Sequence, residues 1–133
     1  MPRALAAAFA YLMKESTMII QACLNGARPP AFHARLPLTA DAMALDGRAA
    51  VAAGAAELHI HPRQDLNESL FAIDETLAAV RAACPGTLIG VSTGEWIEGD
   101  PEKTRYAIGQ WRVLPDYASV NLSEPDAPGV IDL

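Results

Sequence analysis

The sequence predicts an α/β protein with a parallel sheet, because four apolar segments alternate along the chain with three segments of helical character. The apolar segments carry polar residues at alternate positions, which gives each predicted strand one polar face. Central strands of a doubly wound sheet are instead covered on both faces and read as continuous apolar runs. The polar faces therefore favour a (β/α) barrel with functional groups at its mouth, and an open flavodoxin-like sheet is the alternative.

The predicted strands end in turn-forming or polar residues. The first closes with Asn25 and Gly26, and the second closes near Pro62, which has no N–H to donate inside a sheet. The polar residues between the second strand and the following helix are expected to form a loop. The four strands are predicted over residues 18–26, 57–63, 88–94 and 117–124.

The predicted helices have recognisable ends. Thr39 is a favourable N-cap for the first helix, and Gly54 can adopt the left-handed conformation that ends it. Asp74 is expected to cap the second helix, and Asp100 followed by Pro101 is expected to begin the third. The predicted buried stripes are Leu45, Ala49 and Ala52 in the first helix, Leu77, Val80 and Cys84 in the second, and Ile108 with Trp111 in the third.

Composition narrows the functional class. The 133 residues suffice for one domain with a core, and the net charge of −6 without a basic run argues against nucleic-acid binding. No segment approaches the roughly 18 to 20 apolar residues that span a bilayer. Cys23 and Cys84 are far apart, which predicts neither a disulfide framework nor a cysteine zinc site and fits the cytoplasm.

The predicted domain covers residues 18–133, and residues 1–17 are interpreted as an N-terminal extension, with Met18 as an alternative start. A closed barrel needs eight strands and typically about 250 residues. Four strands alone would leave open edges, which favour association. We therefore expect the N-terminal half of a barrel, either completed by a second copy in a homo-oligomer or complemented by a separate second half.

The segment from Glu57 to Arg63 contains the strongest candidate site. Strand alternation places His59 and His61 on one face, where their neutral nitrogens can bind one divalent metal. Imidazole suits zinc, iron, cobalt and nickel. A His-x-His pair also arises by chance, so the pattern alone leaves a structural role open.

Several motifs in order then resemble one family. The segments are IIQACLNGAR, LPLT, AAGAAELHIHPR, ESL, VRAACPG, IGVSTGEWI and LPDYASVNLSEP, between Met18 and Pro125. Together they resemble the β-keto acid cleavage enzymes, the family of the 3-keto-5-aminohexanoate cleavage enzyme. The resemblance implies a zinc-dependent TIM barrel. It also implies a retro-Claisen exchange between a β-keto acid and acetyl-CoA, which gives acetoacetate and a new CoA ester.

The resemblance also implies roles for individual residues. The metal-binding histidines of the family fall on His59 and His61. Arg63 can pair with an anionic substrate or a CoA phosphate, or structurally with Glu57 or Glu68, and Glu124 is a candidate polar residue at the mouth. The positions that match substrate-contacting residues or the ends of the strands that carry them are Asn25, Gly26, Ser92, Thr93, Gly94, Ser119 and Asn121.

Two other functions remain open from the sequence. In the family, the glutamate ligand to zinc and the arginine and aspartate that drive the chemistry come from the second half of the barrel, which this sequence does not contain. A catalytically inactive half-barrel or association module is therefore the first alternative. A metal-dependent hydrolase is the second, because barrel amidohydrolases also use His-x-His at a strand end, although usually on the first strand.

Overall fold

The computed structural model describes residues 18–133, and the predicted extension over residues 1–17 lies outside the described residues. Short 3-10 turns occur at Pro30–Phe32 and Leu70–Ala72. The strands are β1 (Gln21–Cys23), β2 (Glu57–Ile60), β3 (Arg63–Gln64), β4 (Asn67–Glu68), β5 (Leu88–Ser92) and β6 (Tyr117–Ser119). The helices are α1 (Ala40–Ala52), α2 (Ile73–Ala83), α3 (Pro101–Gly109) and α4 (Ala127–Ile131).

The main sheet is parallel and has the order β1-β2-β5-β6, so each strand lies beside the one that precedes it in this sheet. In a flavodoxin-like sheet the first strand lies between the second and the third. Here β2 occupies the position between β1 and β5. The predicted α/β fold with barrel-type strand order is confirmed, and the flavodoxin-like alternative is excluded.

The hydrophobic core lies on one face of the sheet. Leu58 and Ile60 of β2 are fully buried there against α1 and α2. Burial of each such side chain stabilises the folded state by about 1.5 to 3 kcal/mol relative to leaving it exposed. The opposite face is polar, as predicted from the alternation. The core residues are Met43, Leu58, Ile60, Ile73, Leu77, Val80, Cys84, Ile89 and Val91.

The buried stripe predicted for α1 was wrong. Leu45 is 66 % exposed, and Ala49 and Ala52 are also exposed. Met43 and Gly47 face the core instead, and a Cβ at Gly47 would lie only 3.0 Å from Leu58 Cδ1. In an alanine-rich helix several faces are apolar, so the close helix-to-strand approach at Gly47 decides which face is buried.

The cap predicted for α2 was also wrong. Ala72 precedes the helix, and Asp74 lies within its first turn. The Asp74 carboxylate accepts hydrogen bonds from the backbone N–H groups of Arg112 and Val113 at 2.9 and 3.0 Å. The predicted inner stripe of α2 is confirmed, since Leu77, Val80 and Cys84 are buried.

The third helix begins as predicted, because Asp100 Oδ1 accepts a hydrogen bond from the Lys103 N–H at 2.7 Å. Ile108 and Trp111 are only partly buried, and Trp111 lies beyond the end of the helix. The buried residues of α3 are Thr104 and Ala107. Three helices were predicted, but the described residues form a fourth, Ala127–Ile131, with Pro128 in its first turn. No helix among the described residues has the length and apolar character needed to cross a membrane.

The strands are shorter than predicted, and the expected loop after β2 forms structure of its own. Strands β3 and β4 pair in an antiparallel hairpin, in which Arg63 lies opposite Glu68. The tip of the hairpin holds Asp65 and Leu66 at φ values of 49° and 70°. Asn25 and Asn121 lie beyond the strands that were predicted to include them, at the carboxyl edge of the sheet.

Candidate functional site

The two histidines come together at the carboxyl end of β2. His59 is the third residue of the strand and pairs with Cys23 on one side and Gly90 on the other, and His61 follows the strand directly. Their ring centroids are 5.5 Å apart, with an interplanar angle of 70°. His61 is 8 % exposed and His59 is partly buried. The pairing predicted from the His-x-His spacing is therefore present.

Burial lowers the pKa of His59 below its ordinary value of 6.5, and the neighbouring His61 lowers it further. The neutral imidazole consequently persists to lower pH than in an exposed histidine. A metal binds only the deprotonated form of a nitrogen ligand. This environment keeps the ring in the form that a metal ligand requires.

Asn25 fixes the backbone of His61. Its side-chain Oδ1 accepts a hydrogen bond from the His61 N–H at 2.9 Å, and its Nδ2 donates to the His61 carbonyl at 2.8 Å. The same Nδ2 donates to the Pro37 carbonyl at 3.2 Å, and Asn25 is only 2 % exposed. The residue predicted to contact substrate thus also ties the end of β1 to the residue that follows β2.

Glu68 is the immediate partner of the His61 ring. Its Oε1 lies 2.7 Å from His61 Nδ1, and its Oε2 accepts a hydrogen bond from Trp96 Nε1 at 2.6 Å. Burial alone would raise the pKa of Glu68, but hydrogen bonds from His61 and Trp96 and the charge of Arg63 outweigh it and lower the pKa. Glu68 is therefore a carboxylate at neutral pH.

The pairing between Glu68 and His61 was missed from the sequence, as was the contribution of Trp96. Glu68 was considered only as a partner for Arg63, because the polar segment was read as a loop. In a hairpin, Arg63 and Glu68 are cross-strand neighbours, and the carboxylate also reaches His61. A turn signal centred on Asp65 would have been needed to find this arrangement.

Arg63 is engaged by backbone carbonyl groups. It donates to Gly26 O at 2.7 Å, to Arg28 O at 3.0 Å and to Leu66 O at 3.3 Å. Glu68 Oε1 lies 4.0 Å from Arg63 Nη2, and the Arg63 side chain is only 3 % exposed. The backbone contacts join the hairpin to the loop after β1. Of the two structural partners expected from the sequence, Glu57 and Glu68, it is Glu68 that lies within ion-pair distance of Arg63.

Four other predicted residues lie at the ends of β5 and β6. Ser92 and Thr93 are buried, and Thr93 Oγ1 donates to the Ser119 carbonyl at 2.8 Å. Gly94 follows them and lies beneath the Trp96 ring, since a Cβ there would come within 2.1 Å of its carbon atoms. The structure therefore brings Ser92, Thr93, Gly94 and Ser119 together.

Asn121 and Glu124 form a separate pair in the exposed loop after β6. Asn121 Nδ2 donates to Glu124 Oε1 at 3.5 Å, and Asn121 Oδ1 accepts from Ser123 Oγ at 2.9 Å.

Gly26 lies in the loop after β1, which is the edge strand opposite β6. It has a φ of 54°, and its carbonyl accepts a hydrogen bond from Arg63. Positive φ is a reason for glycine at this position that is independent of substrate.

Two hollows border the hairpin. The larger, about 470 Å³, lies at the start of α1. Arg63 borders both hollows, and neither is lined by His59 or His61. The second, about 360 Å³, is lined by Arg28, Pro30, Arg63, Glu68 and Trp96. We place the candidate site beside the second hollow, because Glu68 connects it directly to His61.

The donor set fits part of a zinc site. His59 and His61 supply two nitrogen ligands, and zinc in proteins is almost always bound by at least three protein ligands. Within residues 18–133, no cluster of three or more His, Cys, Asp or Glu side chains is arranged to hold a metal ion. The pair can therefore fill two positions, and other ligands have to fill the rest.

Two comparisons with known proteins bear on the family to which the chain belongs. A search among curated proteins found no match to the chain. The family model described as beta-keto acid cleavage enzyme matches residues 17–128. The matched segment contains the whole sheet, the hairpin and both site histidines. The chain belongs to the β-keto acid cleavage enzyme family.

Proposed function

We propose that this chain acts in zinc-dependent cleavage of a β-keto acid, with acetyl-CoA as the second substrate. The carbon–carbon bond between the keto carbon and the carboxymethyl group of the keto acid breaks. Its acyl group passes to CoA, and the carboxymethyl fragment joins the acetyl group released from acetyl-CoA to form acetoacetate. The observation that carries the proposal is the pairing of His59 and His61 at the carboxyl edge of the sheet in a chain of this family. Barrel enzymes place their catalytic groups at that edge.

A zinc ion, when bound, acts as a Lewis acid that polarises the keto oxygen. His59 and His61 hold the metal in this proposal. The hydroxyl groups of Ser92, Thr93 and Ser119, with the backbone at Gly94, line the adjacent strand ends and orient the carboxylate and carbonyl of the keto acid. The other proposed substrate contacts are Asn25, Gly26 and Asn121, with Arg63 and Glu124 at the mouth.

The remaining ligands are proposed to come from a second copy of this chain or from a complementing half. Strands β1 and β6 are the edges of the described sheet, and open edges are available for pairing with another segment. The polar face between them contains His59, Ser119 and the exposed Gln21. A partner that covers this face brings its own side chains next to the two histidines.

The test is acetoacetate formation by the purified chain with acetyl-CoA and a panel of β-keto acids, with zinc supplied or chelated. We expect zinc-dependent acetoacetate with at least one keto acid, lost in His59→Ala and His61→Ala. His33→Ala is the matched control, because His33 is exposed on a separate loop. A folded, zinc-loaded protein that yields no acetoacetate across the panel would contradict the proposed activity.

A catalytically inactive association module is the second candidate. It is favoured by the donor set, since the described residues supply two histidines without a third ligand. We expect such a module to form a dimer, or a complex with a different chain, that produces no acetoacetate. Size measurement by light scattering, made on the same samples as the acetoacetate assay, separates the two functions.

A further inference from the structure

Both oxygens of the Glu68 carboxylate are engaged by named donors on different elements. Oε1 lies 2.7 Å from His61 Nδ1, and Oε2 accepts a hydrogen bond from Trp96 Nε1 at 2.6 Å. The Glu68 and His61 side chains are only 11 % and 10 % exposed. The carboxylate therefore bridges the shielded His61 imidazole and the Trp96 indole, which is itself 53 % exposed.

The position of Glu68 is fixed by the hairpin. Strand pairing sets Arg63 opposite Glu68, and three backbone carbonyls, one of them that of Gly26, hold the Arg63 guanidinium. On the other side, the Trp96 ring lies over Gly94, where a Cβ would collide with it. Neither neighbour of the carboxylate can move away without losing its own contacts.

The contact between Glu68 and His61 determines which nitrogen of His61 carries the proton. An ionised carboxylate has no hydrogen to donate, so the 2.7 Å contact requires a proton on His61 Nδ1. In a neutral imidazole the other nitrogen, Nε2, is then unprotonated and has a free lone pair. Histidines that bind metals commonly donate their second N–H to a carboxylate in this way.

We propose that Glu68 is a positioning residue that holds His61 as the Nδ1–H tautomer and thereby presents Nε2 to the metal, while the Trp96 N–H holds the second carboxylate oxygen. The metal part of this inference rests on the proposed function. The tautomer part rests on the chain alone. It is therefore measurable on the metal-free protein.

The variant Glu68→Gln tests the role sharply, because an amide has one acceptor oxygen and one donor NH₂ group. Trp96 Nε1 can only donate, so the amide oxygen must face Trp96 and the NH₂ group must face His61. The NH₂ group then donates to Nδ1, and the proton moves to Nε2, where it blocks the metal. Glu68→Gln is thus expected to reverse the tautomer with almost no change in shape.

The first measurement is the ¹⁵N spectrum of the His61 ring in the metal-free full chain. We expect a protonated Nδ1 in the wild type and a protonated Nε2 in Glu68→Gln. In Glu68→Gln/Trp96→Phe the indole N–H is absent, so the side-chain amide can rotate and present its oxygen to His61. We therefore expect a return toward protonated Nδ1 in this double variant. Glu75→Gln is the control, because Glu75 is exposed on α2. A wild-type His61 protonated on Nε2, or the same tautomer in wild type and Glu68→Gln, would overturn the proposal.

The second measurement is zinc affinity by competition with a chromophoric chelator, with far-ultraviolet circular dichroism to confirm folding. Loss of a metal-ligand partner of this kind typically lowers affinity about 10- to 100-fold. We expect that loss in Glu68→Gln and a partial recovery in the double variant. Equal affinity in wild type and Glu68→Gln would also overturn the proposal. A wild type that binds no zinc contradicts the proposed function, whereas the ¹⁵N spectra still decide the role of Glu68.

Discussion

The side chain of Asn25 is hydrogen-bonded to both backbone polar groups of His61, at 2.9 Å to the N–H and 2.8 Å to the carbonyl. A side-chain amide reproduces here the pair of hydrogen bonds that a neighbouring strand would make. The β ladder between β1 and β2 stops at Cys23 and His59, and Asn25 extends the connection by one step. Through this contact, the end of β1 determines where the second site histidine lies.

The first prediction concerns Asn25→Ala. It removes hydrogen bonds to His61 and Pro37 at a position that is 2 % exposed, so buried polar groups are left unpaired. We expect a loss of about 2 to 4 kcal/mol in the free energy of unfolding, measured by urea denaturation without substrate. Asn121→Ala, in an exposed loop, should stay within about 0.5 kcal/mol of the wild type. Equal midpoints for wild type and Asn25→Ala would contradict the structural role.

The second prediction concerns the contact between Gly90 and Tyr117. A Cβ at Gly90 would lie 2.1 Å from Tyr117 Cε2, and the Tyr117 hydroxyl is held by Gln21 Nε2 at 2.6 Å. Gly90→Ala should therefore cost about 1 to 3 kcal/mol of stability, as overpacking does. In a Tyr117→Ala background the same change should cost much less, which a double-mutant cycle measures. An identical cost in both backgrounds would show that the ring is not the obstacle.

The third prediction concerns the pH dependence of stability at Asp74. Backbone hydrogen bonds from Val113 and Arg112, together with the Arg112 side chain, lower the pKa of Asp74 below its ordinary value of 3.8. Between the lowered and the ordinary value, the unfolded chain binds more protons than the folded one, so stability falls as the pH falls. The contribution is complete above about pH 4 and is lost as the pH drops through the folded-state pKa.

The variant Asp74→Asn removes this titration. Its stability deficit relative to the wild type, from urea denaturation, should be largest near neutral pH and should shrink in acid below about pH 4. Asp46→Asn, an exposed change on α1, serves as the control for replacing a carboxylate by an amide. A deficit that is constant from neutral pH into acid would be inconsistent with the hydrogen-bonded carboxylate.

The sequence was sufficient to predict the parallel sheet and the histidine pair, because both depend on local alternation. Leu58 and Ile60 face the core while His59 faces the other side, as a period of two requires. The helical stripe in α2 was equally predictable, because Leu77 and Val80 are larger apolar residues than the alanines and polar residues around them. Local sequence patterns in which large apolar residues differ clearly from their neighbours therefore predict the buried face of a strand or helix correctly.

The features that were missed depend on contacts between distant residues. The buried face of α1 is decided by Gly47 packing on Leu58, and alanines on several faces conceal it. Asp74 is placed in the sequence like a helix N-cap. Its carboxylate instead accepts hydrogen bonds from the backbone N–H groups of Arg112 and Val113, almost 40 residues later. The bond between Glu68 and His61 depends likewise on a hairpin within a segment that has no apolar alternation.

The most direct test of the proposed metal site is zinc content per chain after purification and exhaustive dialysis, in the wild type, His59→Ala, His61→Ala and the control His33→Ala. We predict that the wild type and His33→Ala retain zinc in proportion to protein, and that both site variants lose it. A wild type that is folded but free of zinc when zinc is supplied, or site variants that retain as much zinc as the wild type, would contradict a metal site at His59 and His61.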